Sequence, residues 1–317
     1  FCKLSNLETF IIREGKISTL PESFGDLKSL KRLELRSHQI SELLESIGNL
    51  SSLKFMDLGW NQLEKLPESM GNLTSIRTLN LSHNKIAALP DSIWNLRNLE
   101  ILYLSDNQLG NIPKSIENLK SLKKLGISEN NLTKFTSEIC FLTELEALYL
   151  GGNQFTSLPK EIGKLKSLKW LEMRNNKFER LPSSLGDLES LHKLEISDAE
   201  INKLPESLLQ LDKLSNIRVE NKIDNYGTYE ERKIGLKNQI EEIEKRIKQL
   251  KSIDLKEEYQ KSLAIQSLEF KIKILNLEIA NLREEKYYRK YPNVLKKLKD
   301  KGVHIMFKTC SSVFPHI

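Results

Sequence analysis

Ten apolar residues, Leu7, Leu30, Leu53, Ile76, Leu99, Leu122, Leu145, Leu168, Leu191 and Leu214, recur every 23 residues without a slip. A register this strict describes a stack of equivalent units, because each period can bury its apolar face only against the next. Each of the ten is followed three and five positions on by further apolar residues, as in Leu102 and Leu104 or Leu148 and Leu150. An asparagine then follows at Asn61, Asn84, Asn107, Asn130, Asn153 and Asn176. The alternation predicts a short strand with its leucines inward and the residues between them outward, so each period supplies one rung of a parallel sheet. The asparagine falls in the turn after the strand. There its amide can bond backbone groups of its own and the neighbouring rung and so satisfy buried polar atoms.

The other half of the period reads Leu-Pro-x-x-Ile-Gly-x-Leu, as in Leu66-Pro67-Glu68-Ser69-Met70-Gly71-Asn72-Leu73. Proline fixes φ and offers no donor, which predicts a short irregular or 3-10 return segment on the convex side and leaves the strands on the concave side. Gly15, His38, Ala199 and Lys222 replace the asparagine, and Leu44 and Thr136 replace the proline. These departures predict atypical capping repeats at the ends and one irregular rung.

The strand motif, as in Leu79-Asn80-Leu81-Ser82-His83-Asn84, and the return motif, as in Leu89-Pro90-Asp91-Ser92-Ile93, resemble the intracellular 23-residue class of leucine-rich repeats found in Ras-group scaffold proteins. The resemblance covers roughly residues 4 to 223. It implies an α/β leucine-rich-repeat solenoid, a curved parallel sheet of about ten 23-residue repeats. It also implies a non-catalytic scaffold in the cytoplasm without cofactors, whose partners in that group are often small GTPases or phosphatase subunits.

From Glu230 the period becomes helical: Leu236, Ile240, Ile243, Ile247 and Leu250 alternate steps of four and three, the seam of a coiled coil. Ser252-Ile253-Asp254 reads as a break, and a second run passes through Leu268, Ile272, Leu275, Ile279 and Leu282 toward Tyr291-Pro292. The chain therefore divides into a solenoid at 1–223, a helical hairpin at 224–291 and a cap of short helix, strand and tail at 292–317. Residues 303–307 are expected to add a last strand beside Ile217 to Val219. The hairpin has three readings: it folds on itself and shields the open end of the sheet, it dimerises the chain, or it docks a partner helix.

A charged fraction of 29% and no apolar run long enough to cross a bilayer argue against a transmembrane segment. The start at Phe1, without an initiator Met or signal sequence, suggests that the sequence begins inside a longer protein. Cys2, Cys140 and Cys310 are odd in number and far apart, which favours a reducing compartment over a disulfide framework or a zinc site. The net charge of +6 resides in the segment from Glu230 to Lys301, where lysines alternate with glutamates as on a solvated helix surface. Lys290, Lys296, Lys297, Lys299 and Lys301 form its one concentrated patch, so no nucleic-acid partner is expected.

Stacking makes residues 23 apart into neighbours. Ser82, Ser105 and Ser128 then lie beside Trp60, His83, Asp106 and Glu129, which offers a nucleophile with a base or a metal set on paper. A flat sheet gives neither an oxyanion hole nor exclusion of water, and the expectation is no catalytic residue and no metal. The same projection places Arg36, Phe55, Trp60, His83, Tyr103, Tyr149, Trp170 and Arg174 on one face, with Arg32 and Arg218 toward its ends. Exposed aromatics with arginines are the composition of a protein interface. Gly126, Gly151 and Gly152 are expected to leave a dip among them.

Overall fold

The computed structural model describes residues 4–197, 200, 203–221, 227–252, 265–266, 268–269, 271–273 and 294–309. The chain divides into two compact units, Phe1–Glu220 with Lys297–Met306, and Asn221–Lys296 with Phe307–Ile317. The first is built on one sheet of eleven strands in sequence order: Thr9–Ile11 (β1), Arg32–Glu34 (β2), Phe55–Asp57 (β3), Thr78–Asn80 (β4), Ile101–Tyr103 (β5), Lys124–Gly126 (β6), Ala147–Tyr149 (β7), Trp170–Glu172 (β8), Lys193–Ser197 (β9), Asn216–Asn221 (β10) and His304–Thr309 (β11). From β1 to β10 neighbours pair in parallel with a constant offset of 23, as in Leu79 opposite Leu102 and Leu102 opposite Leu125. Leu33, Met56, Leu79, Leu102, Leu125, Leu148, Leu171 and Leu194 thereby form a column with no solvent exposure. Pairing runs past the short strands, with Leu58 N–H donating to the Asn80 carbonyl at 2.9 Å and Trp60 N–H to Ser82 at 2.9 Å.

The asparagines form the expected ladder. Asn107 Nδ2 donates to the Leu81 carbonyl at 3.0 Å and the Leu104 carbonyl at 3.1 Å, while its Oδ1 accepts from Ile86 N–H at 2.9 Å. Asn61, Asn84, Asn130, Asn153 and Asn176 repeat the pattern. His38 continues it by a different chemistry, its Nε2 lying 3.1 Å from the Ile12 carbonyl. The imidazole lies against Gly15, where a Cβ would come within 2.6 Å of His38 Cε1.

Among the described residues nine five-residue 3-10 turns, from Glu22–Asp26 to Glu206–Gln210, form the return side. Pro67 precedes one with φ −71° and ψ 152°, Leu44 another with φ −79° and ψ 156°, and Thr136 a third with φ −80° and ψ 114°. The irregular rung expected from Leu44 and Thr136 is therefore absent among the described residues. Proline only pre-sets an extended φ that leucine and threonine also reach, and the Thr136 hydroxyl additionally bonds the Ile112 carbonyl.

The glycines of these turns answer to close approach: a Cβ on Gly48 would sit 2.3 Å from the Ser69 backbone oxygen, whereas one on Gly110 would meet nothing within 4 Å. We expect Gly48→Ala to destabilise the chain by about 1–3 kcal/mol, the range for overpacking. Gly110→Ala should leave stability within about 0.5 kcal/mol or raise it slightly. Urea denaturation of the two variants checks both.

At the end of the array, His304 N–H donates to the Ser215 carbonyl at 2.8 Å, and β11 lies next to β10 in the sheet, as the sequence led us to expect. Leu298, Val303 and Ile305 are buried. Two lysines of the basic patch are engaged here, Lys297 Nζ at 3.0 Å from Glu206 and Lys301 Nζ on the Leu209 carbonyl. Lys290 lies outside the described residues.

In the second unit a helix, α1, spans Gly227–Ser252, and Ile253 and Asp254 of the expected break lie outside the described residues. Ile240 and Ile243 are half-buried and Ile247 is buried, among exposed Glu241, Glu242, Glu244, Lys245, Arg246 and Lys248. Leu268 and Ile272 are helical and half-buried, and Lys251 Nζ lies 3.9 Å from Glu269. A short helix, α2, covers Val294–Asp300. The side chains of Leu236 and Leu250, and residues Leu275, Ile279 and Leu282, lie outside the described residues.

Candidate aromatic interaction face

Two outward rows cross the open face of the sheet. In the first, Arg32, Phe55, Thr78, Ile101, Lys124, Ala147, Trp170 and Lys193 lie opposite one another in turn. The second runs through Glu34, Asp57, Asn80, Tyr103, Gly126, Tyr149, Glu172 and Glu195. The tyrosines lie two rungs apart, with ring centroids 6.4 Å from each other across Gly126, and Trp170 meets Tyr149 edge to face at 5.0 Å. Lys193 Nζ lies 3.6 Å over the Trp170 ring, and the Arg32 guanidinium 3.8 Å over Phe55. Burial raises the Tyr103 and Tyr149 phenols above their ordinary values, so both remain neutral hydroxyl donors at pH 7.

A second aromatic group lies past the strands. Trp60 stacks on His83 with centroids 3.8 Å apart. Both occupy the residue before the ladder asparagine, and that position has positive φ in rung after rung: Glu14, Ser37, Trp60, His83, Asp106, Glu129, Gly152 and Asn175. Glycine takes this conformation without strain, as Gly152 does, whereas a bulky side chain there costs on the order of 1 kcal/mol. A tryptophan at φ 58°, 43% exposed, is therefore held against local preference. The geometry follows from the ladder, but the choice of tryptophan does not.

The expected dip is filled. A Cβ on Gly151 would lie 2.2 Å from Glu172 Oε1, one on Gly152 2.1 Å from the Glu129 carboxyl carbon, and one on Gly126 2.8 Å from Tyr103 Cδ1. The glycines make room for side chains of neighbouring rungs and leave no hollow for a partner. Glu172 accepts from Gly151 N–H at 3.0 Å, Ser128 Oγ at 3.0 Å and Arg174 Nε at 2.9 Å. Burial pushes its carboxyl up, against the opposing pull of Arg174 and these donors. Arg174 spans the gap to Glu220 at 2.6 Å, so it braces the face rather than standing free.

At the other end Glu34, 3% exposed, lies between Arg13 at 2.6 Å and Arg32. Burial pushes its carboxyl up, but the hydrogen bonds and charges of Arg13 and Arg32 outweigh it and leave the group below its ordinary value. A depressed carboxylate contributes stability above its unfolded value, and that contribution is lost as pH falls through the folded one. We therefore expect Glu34→Gln to be less stable than the parent at pH 7, with the gap closing below about pH 4. Chemical denaturation across pH measures it.

His83 Nδ1 lies 2.8 Å from Asp106, while the Ser128 hydroxyl is engaged by Glu172. Burial lowers the His83 imidazole, partly offset by Asp106. Among the described residues no three His, Cys, Asp or Glu side chains are placed to hold a metal. Cys140 is a buried free thiol, pushed up to about 12 by burial. None of the described helices is long and apolar enough to cross a membrane.

Periodicity had identified the eight candidate residues, but not the buried acids Glu34, Glu172 and Glu195 that anchor the arginines and Lys193 between them. The signal was available: all three occupy the outward position two residues after the first outward residue of the rung.

Residues 39–157 and 148–308 match the family profile described as a leucine-rich repeat region. No curated protein matches the sequence. Among solved structures, a leucine-rich-repeat protein of Leptospira interrogans is 29% identical, with 71% of this chain and 69% of that one covered and a TM-score of 0.46. The PEPR1–AtPEP1 structure is 28% identical over 64% of this chain and 34% of that one, with a TM-score of 0.54. The plant peptide hormone receptor RGFR1 in complex with RGF2 is 27% identical over 68% and 45%, with a TM-score of 0.50. The chain thus spans less than half the length of either of these last two.

Proposed function

Because the chain belongs to the leucine-rich-repeat family, whose members generally mediate protein–protein interaction, we propose that it is a non-catalytic scaffold capturing a protein partner on the open face of its sheet. The observation that carries this is the aromatic series Tyr103, Tyr149 and Trp170, with Trp60 projecting beside it from a strained backbone position. Rigid aromatics flanked by ion pairs combine large contact area with little side-chain entropy to lose, which suits binding anchors. RGFR1, a structural neighbour of the chain, is a peptide hormone receptor, and that supports recognition of polypeptide. The resemblance to Ras-group repeats makes a small GTPase in the cytoplasm the first partner to try.

Alanine at Tyr103 and Tyr149 should each weaken capture by about 2 kcal/mol, roughly thirtyfold, in a titration with that partner. Phe141→Ala, on a return turn, should leave affinity unchanged. Unchanged affinity in both tyrosine variants would sink the reading.

A second reading rests on the apolar seam of α1, where Ile240, Ile243 and Ile247 run along a helix otherwise exposed on these turns. Pairing of two copies through that seam would present the repeats in duplicate. Light scattering over a concentration series decides it: a dimer lost on making Ile243 and Ile247 polar supports pairing, and a monomer throughout refutes it.

A further inference from the structure

Eight described side-chain polar atoms are buried without a hydrogen-bond partner, and four of them gather on β8 to β10 of the open face: Trp170 Nε1, Glu195 Oε1, Asn216 Oδ1 and Arg218 Nε. Trp170 lies opposite Lys193, Lys193 opposite Asn216, and Glu195 opposite Arg218, so all four belong to three adjacent strands about 4.8 Å apart. Glu195 is 3% exposed. Lys193 Nζ approaches its Oε1 to 2.7 Å as an ion pair, so that oxygen has a charged partner. The Arg218 guanidinium stays 3.7 Å from its other oxygen. Each buried unsatisfied group is costly, so Trp170 Nε1, Asn216 Oδ1 and Arg218 Nε together call for a partner.

The charges here balance. Glu172, Glu195 and Glu220 stand against Arg174, Lys193 and Arg218, so neither an added cation nor an added anion is favoured. What remains is two donors, the indole and Arg218 N–H groups, and one acceptor, on Asn216. A carboxamide, neutral and carrying both a carbonyl and an N–H₂ group, complements that set. Lys193 Nζ lies over the Trp170 ring, and the side chains of Lys193 and Arg218 are 29% and 21% exposed. A partner's backbone cannot descend between them, whereas a side chain can enter once Lys193 swings off the Trp170 ring. We propose that β8 to β10 form a subsite for a glutamine or asparagine side chain of the protein partner, next to the aromatic series. This rests on the open-face reading above.

The test is an NMR titration of the intact chain with N-acetylglutamine amide, set against the glutamate, lysine and norleucine analogues, following the three indole N–H signals. The expected result is a saturable shift of the Trp170 signal with the glutamine probe, roughly fivefold or more weaker with the others, about the effect of one buried hydrogen bond. Asn216→Leu should reduce glutamine binding by a similar factor while the Trp60 and Trp94 signals stay in place, which shows that the fold is intact. Trp170→Phe, which keeps the ring and removes the N–H, assigns the signal. Equal response to all four probes, no response to glutamine, or indifference to Asn216→Leu overturns the subsite. If selectivity fails while partner capture still depends on Tyr103 and Tyr149, the subsite falls and the open-face reading stands. Selective glutamine binding with capture indifferent to those tyrosines is the reverse.

Discussion

Asn107→Ala should destabilise the solenoid by about 3–5 kcal/mol, although the residue touches no proposed partner surface. Its amide satisfies three buried backbone groups at once: the carbonyls of Leu81 and Leu104 and the N–H of Ile86. Alanine removes all three bonds: the Leu81 and Leu104 carbonyls keep the amides of Asn84 and Asn130, each lost bond there costing about 1 kcal/mol, while the Ile86 N–H is left buried and unpaired at about 1–3 kcal/mol. Because two of the bonds reach the preceding repeat, the loss falls on the interface between rungs, and repeat arrays draw much of their stability from that term. Asn98→Ala is the control. Asn98 also bonds a neighbouring repeat, through the Thr74 carbonyl at 2.9 Å, but it is exposed and water can substitute. Its change should stay within about 0.5 kcal/mol. Urea unfolding followed by circular dichroism compares the two.

Leu125→Ala should cost a similar amount, about 3–5 kcal/mol, by a different route. Leu125 is fully buried and lies between Leu102 and Leu148 in the continuous column. Removing the side chain loses its transfer free energy and leaves a cavity that the neighbours cannot close, because their strands are locked in register with one another. Leu125→Met, nearly conserving volume, should lose less than about 1.5 kcal/mol. A loss for alanine no larger than for methionine would mean that the array relaxes around the site more freely than its register implies.

Those elements were legible in the sequence because each follows from a local pattern repeated every 23 residues: alternating leucines make the strand, the asparagine makes the ladder, and the proline sets the turn. Even Leu44 and Thr136, which break the letter of the pattern, sit where an extended backbone is open to any residue. What the pattern could not disclose is how side chains from adjacent rungs share space. Vertical projection put Gly126 and Gly151 among aromatic neighbours and suggested a hollow. Glu172 instead reaches back over Gly151 to Ser128, two rungs away, because a buried carboxylate goes where donors await it. The left-handed backbone beneath Trp60 and His83 was equally hidden, since glycine marks that position in one repeat alone, at Gly152. The outward positions were thus legible as a set of residues, while their relief and their ion pairs belong to contacts between repeats.

The most direct test of the central claim is hydroxyl-radical footprinting of the chain with and without its captured partner, reading oxidation at individual aromatic side chains. The account predicts that Trp60, Tyr103, Tyr149 and Trp170 become protected in the complex while Phe141, on a return turn, keeps its reactivity. Protection of Phe141 with the four open-face aromatics unchanged would place the partner on the return side and contradict it.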